Sequence, residues 1–234
     1  MLAGRGSRKV GCVHRLARSA VAVLITGLAL AGMVEMIPTG ASASTVIALW
    51  HMNNKSGTLL YDSSGNGHNG TLHHVSVGVS GCAQRAYWFN GKTSFVWVPT
   101  AGLNPGRANI TISFCLKTTH LPKRGDYDLV RKGAFPAENY KVELLASGAI
   151  QCTFQGSASR NHATGGSGLN NGAWHHVQCT KTSSQIKTVV DGKVVATTNA
   201  AVGSMANTSG LDIGAHPGSD WYHGGLDEVS VAFG

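Results

Sequence analysis

The fold class is decided by residues 174–198, which read WHHVQCTKTSSQIKTVVDGKVVATT. Apolar or β-branched side chains alternate with polar ones on both sides of Asp191-Gly192, as in strands that bury one face. Asp-Gly between two such segments is typical of a type I′ hairpin turn. The stretch therefore predicts three antiparallel strands, at 174–182, 186–190 and 193–198.

Similar short segments, separated by Gly, Asn, Asp and Ser, occupy most of the chain after residue 43, where helical periodicity is almost absent. Asn90-Gly91 is a second hairpin signal, and the Gly-, Ser- and Asn-rich residues 156–172 predict a flexible surface loop. This pattern predicts an all-β fold, an antiparallel two-sheet jelly-roll sandwich. The other predicted strands are 46–52, 86–90, 94–98, 110–118, 128–132, 140–146, 149–154, 211–214 and 226–233.

The first 43 residues predict a secretory signal peptide. A region with five Lys and Arg precedes an apolar run at 20–31, and Ala41-Ser42-Ala43 is a typical cleavage signal. An uncleaved membrane anchor is the alternative, although the apolar run is short for a transmembrane helix. We therefore expect a secreted, extracellular domain over 44–234 that is not embedded in a membrane.

The charge of the chain gives no support for a nucleic-acid partner. The leader carries five of the nineteen Lys and Arg and one of the eleven acids, so the formal net charge of +8 falls to about +4 without it. The remaining basic residues are dispersed. We expect the pairs Lys123-Arg124 and Arg131-Lys132 in solvated loops and at strand edges.

Four cysteines follow the leader, and an even number in an exported chain predicts two disulfides with three possible connectivities. Strand alternation places the side chains of Cys152 and Cys179 on core faces. We therefore predict a cross-strand bond between Cys152 and Cys179, and a second bond between Cys82 and Cys115. A zinc site is disfavoured because no C-x-x-C spacing occurs.

Residues 62–70, DSSGNGHNG, are similar to the first half of a calcium-binding loop. Asp62, Ser64 and Asn66 place side-chain oxygens at alternate positions, and a glycine follows where such loops turn sharply. His73 stands where these loops carry a bidentate Glu, so an ion here needs carboxylates from elsewhere. The alternative is an ordinary surface turn.

Six phrases, in order along 46–233, resemble the laminin-G-like jelly rolls of the concanavalin A-like lectin and glucanase superfamily. They are ALWH (48–51) with DSSGNGHNG (62–70), FNG (89–91), FVWVP (95–99), ITISF (110–114), GAWHHV (172–177) with VVDGK (189–193), and GLDEV (225–229).

This resemblance implies a concanavalin A-like fold, and it also implies a structural calcium ion at the edge of the sandwich. Relatives often hold calcium where the first loop meets the closing strand. The matching residues here are Asp62 and Asn66, together with Asp227 or Glu228. Neighbouring strand residues point to opposite faces, so we expect only one of the last two to reach the ion.

The superfamily includes lectins, adhesion domains and glycosidases, so its fold leaves the function open. The strand phrase E-x-D-x-E, which commonly supplies the catalytic carboxylates in this superfamily, does not occur. Asp126 and Asp128 share a face, but we expect them in a solvated loop that enters a strand. The sequence thus favours a non-catalytic module that binds carbohydrate or a glycosylated surface. The alternatives are a protein-binding adhesion domain and a polysaccharide-degrading enzyme.

The first candidate for a sugar-binding loop is Asp220, Trp221, Tyr222 and His223, which lies between glycines before the closing strand. Sugar sites need exposed aromatic rings for stacking and carboxylates or amides for hydrogen bonds. The alternative is that Trp221 or Tyr222 fills the edge of the sandwich.

Overall fold

Two antiparallel sheets build the computed structural model, which describes residues 44–234. The predicted signal peptide lies outside these residues and stays a prediction. In the described part, no helix is long and apolar enough to cross a membrane. The strands are β1 (Thr45–Trp50), β2 (Leu59–Leu60), β3 (Gly70–His73), β4 (Ser76–Ser80), β5 (Arg85–Asn90), β6 (Phe95–Val98), β7 (Ile110–Lys117), β8 (Asp126–Lys132), β9 (Tyr140–Leu145), β10 (Ile150–Gln155), β11 (Arg160–Gly165), β12 (His175–Lys181), β13 (Gln185–Val190), β14 (Lys193–Asn199), β15 (Leu211–Ile213) and β16 (His223–Phe233).

Sheet A has the order β14-β13-β12-β7-β16-β5-β4, and β1 also pairs with β16. Sheet B has the order β11-β10-β9-β8-β15-β6-β3-β2. Burial alternates residue by residue along β7, as expected for a strand with one face in the core. The inner faces of the two sheets enclose one apolar core that includes Trp50, Phe89, Phe114, Tyr140 and Tyr222. The predicted all-β sandwich is confirmed.

One of the two predicted hairpins is confirmed and the other is wrong. Strands β13 and β14 pair across Asp191-Gly192, where both residues have positive φ (49° and 75°), as a type I′ turn requires. At Asn90-Gly91, however, β5 belongs to sheet A and β6 to sheet B. The Asn90 side chain accepts hydrogen bonds from the backbone N–H groups of three following residues, 92–94, and so stabilises a connection between the sheets.

The predicted flexible loop at 156–172 is also partly wrong, because it contains β11 (Arg160–Gly165). This strand pairs with β10 over its whole length, and Ala163 is buried opposite Cys152. Pairing and burial here override the weak strand propensity of a Gly- and Ser-rich sequence. The short strands β2, β3 and β4 were not predicted either.

Both predicted disulfide pairs are confirmed, Cys82–Cys115 and Cys152–Cys179. The second is not a bond between neighbouring strands, because β10 lies in sheet B and β12 in sheet A. It crosses the core and ties the two sheets together, with 5.6 Å between its Cα atoms.

Candidate binding site

The outer face of sheet B carries a cluster of charged side chains on β8 and β9. Asp128 lies opposite Glu143 and Arg131 opposite Lys141, while Val130 and the other alternate residues face the core. All four charged side chains are buried. The prediction that Asp128 and Arg131 are solvated is therefore wrong, and so is that for Lys132, which is fully buried on the same strand.

Lys141 lies at the centre of this cluster. Its Nζ is 3.1 Å from Asp126 Oδ1 and 3.0 Å from Asp128 Oδ1, and it also contacts Glu143 Oε1. On the other side of Asp128, Arg131 Nη1 is 2.9 Å from Oδ2. Two cations thus neutralise part of the charge of three carboxylates, and the hydrogen bonds hold all five side chains in place.

Burial shifts the pKa values of these acids in different directions. Loss of solvent, together with the negative charges of Glu143 and Asp128, raises the pKa of Asp126 to about 7, although Lys141 opposes this shift. Burial also raises the pKa of Asp128, since it outweighs the two neighbouring cations. For Glu143 burial is outweighed by Lys141 and Gln151, so its pKa is lowered.

A cavity of about 240 Å³ opens beside the cluster. Asp126 and the predicted ligand residues Asp220 and Trp221 line it, together with Tyr127, Gly91 and the β7–β8 loop residues Pro122, Lys123 and Arg124. The backbone oxygen of Asp220 accepts the N–H of Asp128, which fixes the loop against β8. One carboxylate oxygen each from Asp126, Asp128 and Asp220 lie within 4.8 Å of one another, so this trio could hold a metal ion.

Aromatic side chains continue from the cavity along the outer face of sheet B. The Trp221 ring lies 6.1 Å from that of Phe95, which in turn stacks on His73 at 4.2 Å. On the same face of β6, Trp97 is 43% exposed and lies opposite Asp212 of β15. Burial raises the pKa of Asp212 to about 6, and its Oδ1 has no hydrogen-bond partner within the described chain. Carboxylates and exposed rings therefore share one surface.

The other two residues of the predicted sugar-binding loop have different surroundings. Tyr222 is fully buried between Phe89 and Tyr127, and its hydroxyl donates to the backbone oxygen of Lys117 at 2.9 Å. Its ring has no free face for a ligand, so the prediction of Tyr222 as a ligand residue is wrong. His223 is half-buried and stacks on His120 at 3.7 Å. Burial and the charge of His120 lower the pKa of His223.

The side chains of the predicted calcium ligands Asp62 and Asn66 form hydrogen bonds within the loop and to β1. The Asp62 carboxylate accepts backbone N–H groups from Leu49, Ser64 and His68. Burial opposes ionisation, but these donors outweigh it and lower the pKa of Asp62. Asn66 donates its amide to the backbone oxygens of residues 46 and 47. The carboxylate thus closes the turn and ties it to β1.

The predicted ligands of the closing strand are engaged elsewhere. Asp227 accepts the backbone N–H groups of Cys82 and Ala83, beside the first disulfide. Glu228 Oε2 lies 2.7 Å from His51 Nδ1. Over residues 44–234, the aspartate trio is the one group of three or more acidic, His or Cys side chains with a spacing suited to a metal. The calcium site at the 62–70 loop stays a prediction.

A family model described as the concanavalin A-like lectin/glucanases superfamily matches residues 90–232. The chain belongs to this superfamily. The resemblance inferred from the six sequence phrases is thereby confirmed. Among curated proteins, no sequence matches the chain.

Solved structures with the same jelly-roll sandwich include the binding domain of Paraclostridial Mosquitocidal Protein 1 (TM-score 0.66, 16% identity, 80% of this chain and 48% of that one). The binding domain of botulinum neurotoxin DC in complex with SialylT has a TM-score of 0.62 and 13% identity, and the match covers 80% of this chain and 47% of that one. This chain thus spans about half the length of both. A third similar structure is domain 4 of AbnA, a GH43 extracellular arabinanase from Geobacillus stearothermophilus, in complex with arabinotriose. Its TM-score is 0.62 and its identity 18%, and the match covers 82% of this chain and 93% of that one. At these identities the comparisons show that this chain and the three structures share a fold, and nothing more.

Proposed function

We propose that this domain is a non-catalytic module that binds carbohydrate on the outer face of sheet B. One observation carries the proposal: Trp97 and Trp221 lie on the same surface as Asp126, Asp212 and Asp220, next to a cavity of about 240 Å³. Sugar rings stack on aromatic faces, while their hydroxyl groups donate hydrogen bonds to carboxylates. The surface supplies both kinds of contact.

Two of the similar structures support a sugar as the ligand, since one is a complex with SialylT and the other with arabinotriose. Their low identity leaves the choice of sugar open. Arabino-oligosaccharides and sialylated glycans are therefore the first two ligand classes to test, and a panel of other polysaccharides follows.

The experiment is calorimetric titration of the purified protein and of Trp97→Ala and Trp221→Ala. Each ring that stacks on the ligand contributes about 1 kcal/mol, so each variant should bind roughly fivefold to tenfold more weakly. Phe135→Ala is the matched control, because Phe135 is 71% exposed but follows the far end of β8, about 20 Å from Asp126. Unchanged binding in both Trp variants, or no binding to any saccharide, would refute the proposal.

A second candidate is hydrolysis of a polysaccharide. It is favoured by one observation, the presence of two carboxylates, Asp126 and Asp220, in the same cavity, because glycoside hydrolysis uses such a pair. The two functions are distinguished by incubating the protein with the polysaccharides that it binds and measuring new reducing ends. Release that stops in Asp126→Asn would establish an enzyme, and binding without release would establish a binding module.

For calcium, we propose the aspartate trio as the site in place of the 62–70 loop. Three carboxylate oxygens within 4.8 Å suit a cation that prefers oxygen ligands. The Lys141 ammonium already contacts two of these acids, so calcium must compete with it and the affinity should be low. Titration with CaCl₂ should show tighter binding in Lys141→Met and weaker binding in Asp220→Asn. A calcium affinity that is the same in both variants as in wild type would exclude the trio.

We also propose that the protein is secreted with its leader removed. Two disulfides support this, because such bonds form in oxidising compartments. Amino-terminal sequencing of the exported protein should give Ser44 as the first residue. Retention of the apolar run at 20–31 in the mature protein would show a membrane anchor instead.

A further inference from the structure

A second cavity, of about 390 Å³, shares no residue with the candidate binding site. Its lining residues come from four segments: the approach to β7, the β10–β11 turn, the end of β12 and the segment after β14. They are Arg107, Ala158, Lys181, Ser183, Ala201 and Gly203. Two of the six are cationic and none is acidic.

Lys181 occupies an unusual position for a lysine. It is the last residue of β12 and lies on the inward row with Val177 and Cys179. The residue is 2% exposed. Its Nζ donates one hydrogen bond within the described chain, to the backbone oxygen of Ala108 at 3.0 Å. An ammonium group has three donors, and two of them are left for a ligand.

Among the described residues 44–234, the charge of Lys181 has no counterion. Within residues 44–234, neither Lys181 nor Arg107 takes part in an ion pair, whereas Lys141 pairs with three acids and Arg131 with two. A buried charge without a partner is unfavourable. In agreement with this, burial lowers the pKa of Lys181. A negatively charged ligand would supply the missing partner.

We propose that this cavity binds an oxyanion group, a carboxylate or a sulfate, between Lys181 and Arg107. Ser183 also lines the cavity and carries a hydroxyl group that can donate a hydrogen bond. The volume exceeds that of one inorganic anion and leaves room for a sugar ring that carries the charge. The group has two sources, a free inorganic anion or an acidic saccharide, and the experiment separates them. The proposal is independent of carbohydrate binding on sheet B.

The test follows backbone amide signals in NMR spectra of ¹⁵N-labelled protein at constant ionic strength. The probes are sodium sulfate, oligogalacturonate and a neutral galactose oligosaccharide of equal length. The amides of Ser183, Gly203 and Ala108 should shift in a saturable manner with an anionic probe and stay unchanged with the neutral one. Tighter binding of oligogalacturonate than of sulfate identifies an acidic saccharide, and the reverse identifies an inorganic anion. Absence of saturable shifts with both anions overturns the proposal.

Two substitutions locate the site. Arg107→Ala removes an exposed side chain, so the fold should be unaffected, and the loss of one charge-assisted contact should weaken anion binding roughly tenfold. Lys181→Met keeps most of the length of the side chain but removes its charge, and it should abolish anion binding. Lys55→Ala, at an exposed lysine outside the cavity, is the control. Sulfate also stabilises proteins non-specifically, so the affinity measured in the titration, and not a melting temperature, decides the outcome. Equal affinity in wild type and Arg107→Ala would refute the site.

Discussion

Substitution of Lys141 by methionine tests the central feature of the candidate binding site. The side chain is 8% exposed, and those of its partners Asp128 and Glu143 are 1% and 5% exposed. Removal of one partner from a buried ion pair costs about 3 to 5 kcal/mol. Because Arg131 still neutralises Asp128 and Gln151 still donates to Glu143, we expect the lower end, about 3 kcal/mol at pH 8.

The loss should depend on pH. In wild type burial raises the pKa of Asp126 to about 7 and also raises that of Asp128, whereas the pKa of Glu143 is lowered, mainly by Lys141. Without the ammonium group all three pKa values should be higher than in wild type. Between pH 4 and 7 the native variant then binds more protons than the unfolded chain, so its stability falls as the pH rises. At pH 5 the carboxyl groups are partly protonated, and the loss should shrink to about half.

Thermal and urea unfolding at pH 5 and pH 8 measure both effects. For a domain of this size, about 3 kcal/mol corresponds to a decrease in melting temperature of roughly 6 to 12 °C. Lys193→Met, at an exposed position of β14, should change stability by less than about 0.5 kcal/mol. An equal loss for Lys141→Met at both pH values would refute the electrostatic explanation and indicate lost packing instead.

Three further variants test individual parts of the structure. Replacement of Cys152 and Cys179 by alanine opens a loop of 27 residues, and should lower the free energy of unfolding in urea by about 3.5 kcal/mol. Tyr222→Phe removes a buried hydroxyl group and should cost about 1 to 2 kcal/mol, while saccharide affinity in calorimetry stays unchanged. Without added calcium, a chelator should leave the melting temperature unchanged, because the proposed affinity of the aspartate trio is low. Asp62→Ala should lower stability by about 3 kcal/mol, since three backbone N–H groups lose their acceptor. A chelator effect that disappears in Asp62→Ala would restore calcium to this loop.

The sequence predicted the sandwich well because its signals are local. Alternation along residues 110–118 and the turn at Asp191-Gly192 depend on neighbouring residues alone. One error occurs where distant chain segments decide the outcome. Asn90-Gly91 has the composition of a hairpin, but the partner of each flanking strand lies elsewhere in the chain. The error at β11 has a local cause instead: RNHATG lacks the alternating apolar and polar residues that indicate a strand, although it pairs with β10, its neighbour along the chain.

The site was only half predictable, for a related reason. Asp220 and Trp221 were found because aromatic and acidic residues between glycines are a local pattern. Lys141 and Glu143 were missed, because each is unremarkable within YKVELL and gains meaning only opposite DYDLVRK. A signal was present in the alternation itself, since two adjacent strands each carry charged residues on the face opposite to their apolar ones. The charges at paired positions have the same sign, Asp128 with Glu143 and Arg131 with Lys141, so the contacts between opposite charges run diagonally between the strands.

The energetics of the cluster favour a role in binding over a role in stability. The protein would be about as stable, or more stable, with apolar residues of similar volume in place of Asp128, Arg131, Lys141 and Glu143. Burial of an ion pair costs hydration free energy, and the attraction between the ions barely compensates for that cost. What the ions provide is fixed geometry: Lys141 holds Asp126 at the cavity wall, and the backbone of Asp128 holds the Asp220 loop. A ligand that binds there meets carboxylates already in place, so it does not have to order them. Lys141→Met should therefore weaken saccharide binding even at pH 5, where its effect on folding is smallest.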